Sequence, residues 1–274
     1  MNKLRFFTKH KQFTFFLILT FVILGIAIFA PWIVPKDPYL AVMSDSLTPP
    51  GGEYIWGTDK LGRDVFSRVI YGTRTSLTMT LFVVLVIFII GTTLGVLAGF
   101  FGGIVDEIIM RISDMMVSFP GLVLAIAIAG LLGPSMLNAI IAITAVSWTK
   151  YARLARSLVI KIKNSQYIEA AYVIGTKKRN IILRYIVPNI LSTMVVTATT
   201  DMATMMLELA ALSFLGFGAQ APTPEWGVML NEGRTYLGKA PWLMIYPGMA
   251  IMIVVVVFNM LGDSIRDIWD PKEK

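Results

Sequence analysis

An all-α membrane protein with six spanning helices is the fold class this sequence predicts, and three observations predict it. Of its 274 residues, 56% are hydrophobic and 15% charged, where a soluble domain carries about 25% charged residues. The apolar residues arrive in blocks of roughly 17 to 25, the length a helix needs to cross about 30 Å of hydrocarbon, and helices satisfy their own backbone polar groups there. Lysine and arginine gather in alternate connections, as the positive-inside rule requires.

The same composition excludes several functions. There is no cysteine, hence no disulfide and no thiolate metal site, and the one histidine, His10, sits in a basic tail. Zinc hydrolysis and histidine acid–base chemistry have little to work with, and no metal site or membrane histidine is available for a bare soft metal ion. The net charge of +7 would suit a nucleic-acid partner on a soluble protein. Here it follows from the inside loops, and no nucleic-acid partner is expected.

Residues 1–12 form a basic tail, and residues 13–34 the first spanning helix. That block is too long for a signal-peptide core, which runs about 7 to 15 apolar residues. Residues 35–75 are rich in proline, glycine and aspartate, with five basic residues against Asp37, Asp45, Glu53, Asp59 and Asp64, a balance that suits the outer face. The five-helix core, 76–262, opens with the block 77–101, where Gly91, Gly95 and Gly99 put three missing side chains on one helix stripe for close packing. Gly102 and Gly103 then turn the chain. Block 108–132 carries Pro120, which removes a backbone bond and kinks it; Asp114 is placed to pair with Arg111. A short fourth block, 135–151, ends near Trp148. Block 186–212 follows the basic loop, an outer loop runs to Pro241, and block 242–261 leads into the charged tail 263–274. Six crossings put both termini inside, with 17 lysines and arginines on that side against 7 outside.

The loop 150–185 is the most biased segment, with nine basic residues and one acidic residue, Glu169. Its spacing predicts two short helices. Gln166 to Ile174 carries Glu169 beside the small residues Ala170 and Ala171, Gly175 ends that helix in the left-handed conformation, and a second helix runs from Lys177 to near Pro188. Taken alone, the Glu-Ala-Ala triplet fits an ordinary inside loop better than a docking knob. Glu-Ala-Ala-x3-Gly followed by proline thirteen residues on, however, resembles the coupling loop of binding-protein-dependent ABC importer permeases. Three further stretches, Gly57-Thr58-Asp59 with Gly62-Arg63-Asp64 and Ser67-Arg68, Glu208 with Ala211 to Gly216, and Asn259 to Asp263 with Arg266-Asp267 and Asp270-Pro271, are similar to the C-type permease of the peptide and nickel group. Tyr185 departs from that pattern, which commonly has histidine there.

The resemblance implies a type I importer permease in the bacterial cell membrane. Its partners would be a B-type permease, two ATPase subunits, an extracellular solute-binding protein and membrane lipid. ATP and magnesium would bind the ATPases, and this chain would be no enzyme and hold no cofactor; it has no Gly-x4-Gly-Lys-Ser/Thr loop to cradle phosphates. Glu169 would meet a basic residue of the ATPase, Ala170 and Ala171 would permit close approach, Gly175 would set the angle between the short helices, and Pro188 would start the fifth spanning helix. Relatives handle oligopeptides, dipeptides, nickel complexes and metallophores.

Asp201 and Glu208, with Met205 between them, share one face of the fifth block. Charges at membrane depth cost at least about 2.5 to 3.5 kcal/mol, so they face either the translocation path or a bracing neighbour. Gly57 to Arg68 and the loop around Trp226 either meet the solute-binding protein or pack the outer face. The rival class is a self-contained secondary transporter or channel, which would show paired broken helices with acidic midplane sites; no such pairing is visible. A membrane enzyme would have only scattered carboxylates for acid and base.

Overall fold

The computed structural model describes residues 10–269, and among them it is helical, with isolated β-bridges at Gly51 and Thr58 in place of strands. The helices are α1 (Lys11–Ile33), α2 (Val65–Phe101), α3 (Gly103–Val117), α4 (Gly121–Leu132), α5 (Met136–Lys163), α6 (Gln166–Val173), α7 (Lys178–Ile181), α8 (Val187–Phe214), α9 (Trp226–Gly233) and α10 (Trp242–Trp269). Four stretches are long and apolar enough to cross a membrane: α1, α2, the run from Lys178 to Phe214, and α10. The pair α3 and α4, bent by 91°, makes a fifth if counted as one span. Pro120 stands at that bend. The basic residues Lys3, Arg5, Lys9, Lys272 and Lys274, with Asp270-Pro271, lie outside the described residues.

Helix boundaries differ from the apolar blocks: α3 starts at Gly103 rather than 108, α10 runs past 261 to Trp269 through much of the expected tail, and three further differences have a visible cause. Helix α2 starts at Val65, inside the segment expected to be loop, because the Asp64 carboxylate accepts from the Ser67 N–H at 2.8 Å and caps it. Helix α5 does not stop near Trp148 but continues to Lys163, since Tyr151, Ala152, Ala155 and Val159 give its basic half one buried face. The third concerns Pro188. It starts no separate helix, because a π turn, Ile182–Ile186, joins α7 to α8 in one helical run. An α turn takes about four residues and this one takes five, so Ile181 and Ile186 stay on the same buried face as Ile190 and Met194.

The chain forms two compact units. One gathers Met1–Phe82, Ile128–Ile141 and Thr199–Lys274; the other gathers Val83–Ala127 and Ala142–Ala198. In the first, α10 packs along α1 and against α9. The Trp226 indole N–H donates to the Val69 carbonyl at 3.0 Å across Gly72, where a Cβ would stand 2.9 Å from that nitrogen. Gly262 lets α10 meet Thr200 of α8, whose Cγ2 would lie 2.4 Å from an added Cβ.

In the second unit the glycine stripe of α2 lies against α5. A Cβ on Gly91 would stand 2.5 Å from the Trp148 carbonyl oxygen, one on Gly95 2.3 Å from that of Ala152, and one on Gly99 2.9 Å from that of Arg156. The contact is therefore backbone on backbone along two helical turns. Two arginines of α5 grip α3: Arg156 holds Asp106 at 2.5 and 2.6 Å, and Arg153 donates to Ser113 and Asp114, each at 2.8 Å. Asp114 thus pairs with Arg153 rather than with Arg111, which holds Glu107 one turn before it at 3.0 Å.

Candidate functional site

Helix α6 begins after Ser165, whose carbonyl accepts from Ile168 and Glu169, and Glu169 in the first turn complements the positive end of the helix dipole. Its end is fixed by two bonds, Thr176 N–H to the Ala171 carbonyl and Gly175 N–H to the Tyr172 carbonyl, both 3.0 Å, with Gly175 at φ +79°. This is a Schellman motif. Gly175 therefore reverses the chain between α6 and α7 in a conformation that costs other residues roughly 1 to 2 kcal/mol.

The helix divides into two faces. Ile168 and Ala171 are buried, whereas Glu169, Ala170, Val173 and Ile174 are exposed, the last two at 87% and 77%. The structure thus separates the two alanines: Ala170 lies on the outward face beside Glu169, and Ala171 seats the helix. The entry to the loop is tied down as well, since Lys163 donates to the Phe100 carbonyl at the end of α2, at 2.7 Å. From Ile181 onward the buried stripe of Ile181, Ile186, Ile190 and Met194 runs on into α8.

Beyond the other end of α2 lies an ion cluster that sequence reading did not resolve. Arg63 and Arg68, each 1% exposed, share Asp59 and Glu232: Arg63 reaches them at 2.5 and 2.9 Å, Arg68 at 3.5 and 3.3 Å. Arg68 also donates to the carbonyls of Pro38 and Pro222 at 3.1 and 3.2 Å. Pro38, Asp59, Pro222 and Glu232 are thereby fastened to Arg68 at the start of α2. Nearby, Glu225 caps α9, accepting from the N–H groups of Gly227 and Val228 at 2.9 Å each; burial pushes its carboxyl above the usual glutamate range despite those bonds. Within Gly57 to Arg68, the side chains of Asp59, Arg63 and Arg68 are thus taken up in joining this segment to α2 and to Glu232 of α9.

Comparison with known proteins decides the family. The model of the binding-protein-dependent transport system inner membrane component matches residues 91–274, and that of the N-terminal transmembrane domain of oligopeptide transport permease C matches residues 3–50. The chain belongs to this permease family. A dipeptide transport system permease protein, DppC, of Alkalihalophilus pseudofirmus is 47% identical over 91% of this permease and 82% of its own length. A glutathione transport system permease, GsiD, of Pectobacterium atrosepticum is 43% identical over 92% and 84%. Among solved structures, the permease shares its fold with a chain of the inward-facing methionine ABC transporter MetNI, at a TM-score of 0.60 and 21% identity over 74% of this chain and 97% of the other. The permease is accordingly a multi-pass component of the bacterial cytoplasmic membrane and a transport subunit.

On α8 the permease places the three acidic-face residues unequally. Asp201, 4% exposed, and Met205 are buried within the first unit, and Glu208 is half-buried. Asp201 lies next to Thr200, the point where Gly262 draws α10 close. The ion cluster had a partial signal in the sequence: Asp59, Arg63 and Arg68 stand as opposite charges within ten residues around the turn glycine Gly62. Its fourth member, Glu232, lies 169 residues beyond Arg63, and nothing in the local pattern links them.

Proposed function

We propose that this permease pairs with a second, B-type permease to form a path for short peptides, driven through α6 by two cytoplasmic ATPase subunits that bind ATP and magnesium. The observation that carries the reading is the outward face of α6. A carboxylate, a small residue and two exposed apolar side chains stand together on a helix whose ends are fixed by hydrogen bonds, in the most basic and hence cytoplasmic segment of the chain. Glu169 supplies a charge for a basic residue of the ATPase, Ala170 lets the surfaces approach, and Val173 and Ile174 supply apolar area. Ala171, Gly175 and the π turn before Pro188 make the loop stiff enough to push on α8.

The reading takes six crossings with both termini inside, α5 supplying the fourth despite its basic second half, and an extracellular solute-binding protein delivering substrate to the outer cap. The names of the relatives, dipeptide and glutathione systems among them, support peptides as substrate. Nickel and metallophore complexes, also expected from the resemblance, draw no support from these relatives. Asp201, Met205 and Glu208 are proposed to steady the path helix from within, with Glu208 the member nearest the path. The test is co-purification: ATPase subunits co-isolate with the wild-type permease and are lost with Glu169→Ala combined with Gly175→Pro, while both permeases stay in the membrane. Undiminished recovery of the ATPases with that variant overturns the assignment of α6.

A further inference from the structure

A cleft of about 300 Å³ opens among α1, α2 and α10, lined by Ile23, Trp56, Ile70, Trp226, Tyr246 and Ile253. All of it lies within the first compact unit. Two of its polar groups are spent elsewhere: the Thr73 hydroxyl donates to the Val69 carbonyl at 3.3 Å, as does the Trp226 indole at 3.0 Å; the others belong to the stacked Trp56–Tyr246 pair. Water needs two to four polar partners to occupy such a space, and apolar cavities of about half this volume stay dry and take apolar ligands. Left empty, the cleft forfeits dispersion contacts along its whole wall. Its occupant is therefore apolar.

Position identifies the occupant further. Val69 to Thr73 lie in the first three turns of α2, and Tyr246 to Val254 in the first half of α10, so the cleft sits at the depth of one leaflet's acyl chains, below the end marked by Trp242. Trp56 stacks on Tyr246 with ring centroids 4.4 Å apart and planes 8° from parallel, an aromatic lid of the kind found where hydrocarbon meets headgroups. Met249 and Ile253, half-exposed, leave the side wall open.

We propose that this cleft is a binding site for one acyl chain of a membrane phospholipid, entering beside Ile253 under the Trp56–Tyr246 lid and lying against Trp226. A chain held there fills the gap between α1 and α10 and so links the family's N-terminal helix to its core. The inference rests on the reading of α1, α2 and α10 as membrane-spanning, and not on the peptide or ATPase assignments.

The test uses the complete transporter in nanodiscs made with phosphatidylcholine brominated in mid-chain, compared with unbrominated lipid. Bromine quenches tryptophan only at short range; Trp226 lines the cleft and is otherwise enclosed by protein, so a chain in the cleft is the one that comes within range. The Trp226 contribution, read as the difference from Trp226→Phe, is quenched in brominated lipid, and the quenching is lost in Ala250→Phe, whose ring fills the cleft. Thr73→Leu fills it from α2 and serves if Ala250→Phe does not assemble. Equal Trp226 emission in the two lipids overturns the site, as does quenching that persists in both filled variants. Cross-linking of Ile253→Cys to the second permease in high yield also overturns it, because protein then occupies the opening.

Discussion

Replacing Gly95 by alanine is the most informative single change in the second unit. The new Cβ would stand 2.3 Å from the Ala152 carbonyl oxygen and 2.7 Å from the Ala155 Cβ. Ordinary contact begins about 1 Å farther out, and neither neighbour is a flexible side-chain end, so α2 and α5 must part by roughly that distance. Overpacking of this kind costs about 1 to 3 kcal/mol, and a gap of 0.5 to 1 Å forfeits about a quarter to a half of each dispersion contact along the stripe. At about 2 to 4 °C per kcal/mol for a chain of this size, the melting temperature of the purified transporter falls by about 2 to 12 °C. Gly25 of α1 provides the control, since a Cβ there meets nothing within 4 Å; Gly25→Ala gains about 0.5 to 1 kcal/mol of helix propensity. Melting curves from tryptophan fluorescence separate the two. If Gly95→Ala melts at or above the wild-type temperature, as Gly25→Ala does, the stripe is not a backbone contact and the packing argument fails.

Other perturbations follow from the same geometry. Glu232→Ala leaves Arg63 and Arg68 short of a carboxylate in a buried site and costs about 3 to 5 kcal/mol, measured as lost thermal stability; Arg111→Ala, an exposed ion pair, changes it by less than about 1 kcal/mol. Val173→Asp with Ile174→Asp weakens recovery of the ATPases while leaving melting of the isolated permease unchanged, because both side chains already face outward. Glu225 gives a pH dependence: its folded pKa is raised by burial, so the native state holds a proton that the unfolded chain releases, and stability falls as pH rises from the ordinary glutamate range, about 4.3, through the folded value. Glu225→Gln flattens that slope in melting curves taken from pH 4 upward.

The features legible in the sequence were those with a local cause. The end of α6 was readable because Gly175 follows a helical pattern and only glycine takes its conformation cheaply; the bend before α4 was readable from Pro120. Where helices ended against other helices, local pattern failed. Nothing near Trp148 says that α5 continues, because the residues that bury its basic half are the glycines of α2, more than fifty positions earlier. The π turn was invisible for a related reason: it exists to keep Ile181 in register with Ile186, a demand of packing rather than of propensity. Pairing followed the same rule. Asp114 could be placed beside Arg111 by helix spacing, yet its partner Arg153 comes from α5, and the ion cluster around Arg63 and Arg68 needed Glu232 from the far end of the chain.

Helix α6, as proposed, transmits ATPase motion to this permease. The most direct test is uptake of a labelled dipeptide by proteoliposomes holding the complete transporter and its solute-binding protein, compared between wild type and Glu169→Arg. The wild type takes up dipeptide in an ATP-dependent way, and the variant loses both uptake and substrate-stimulated ATP hydrolysis, with equal permease in the membrane. Wild-type uptake by Glu169→Arg, or uptake without the ATPases, would contradict that role of α6.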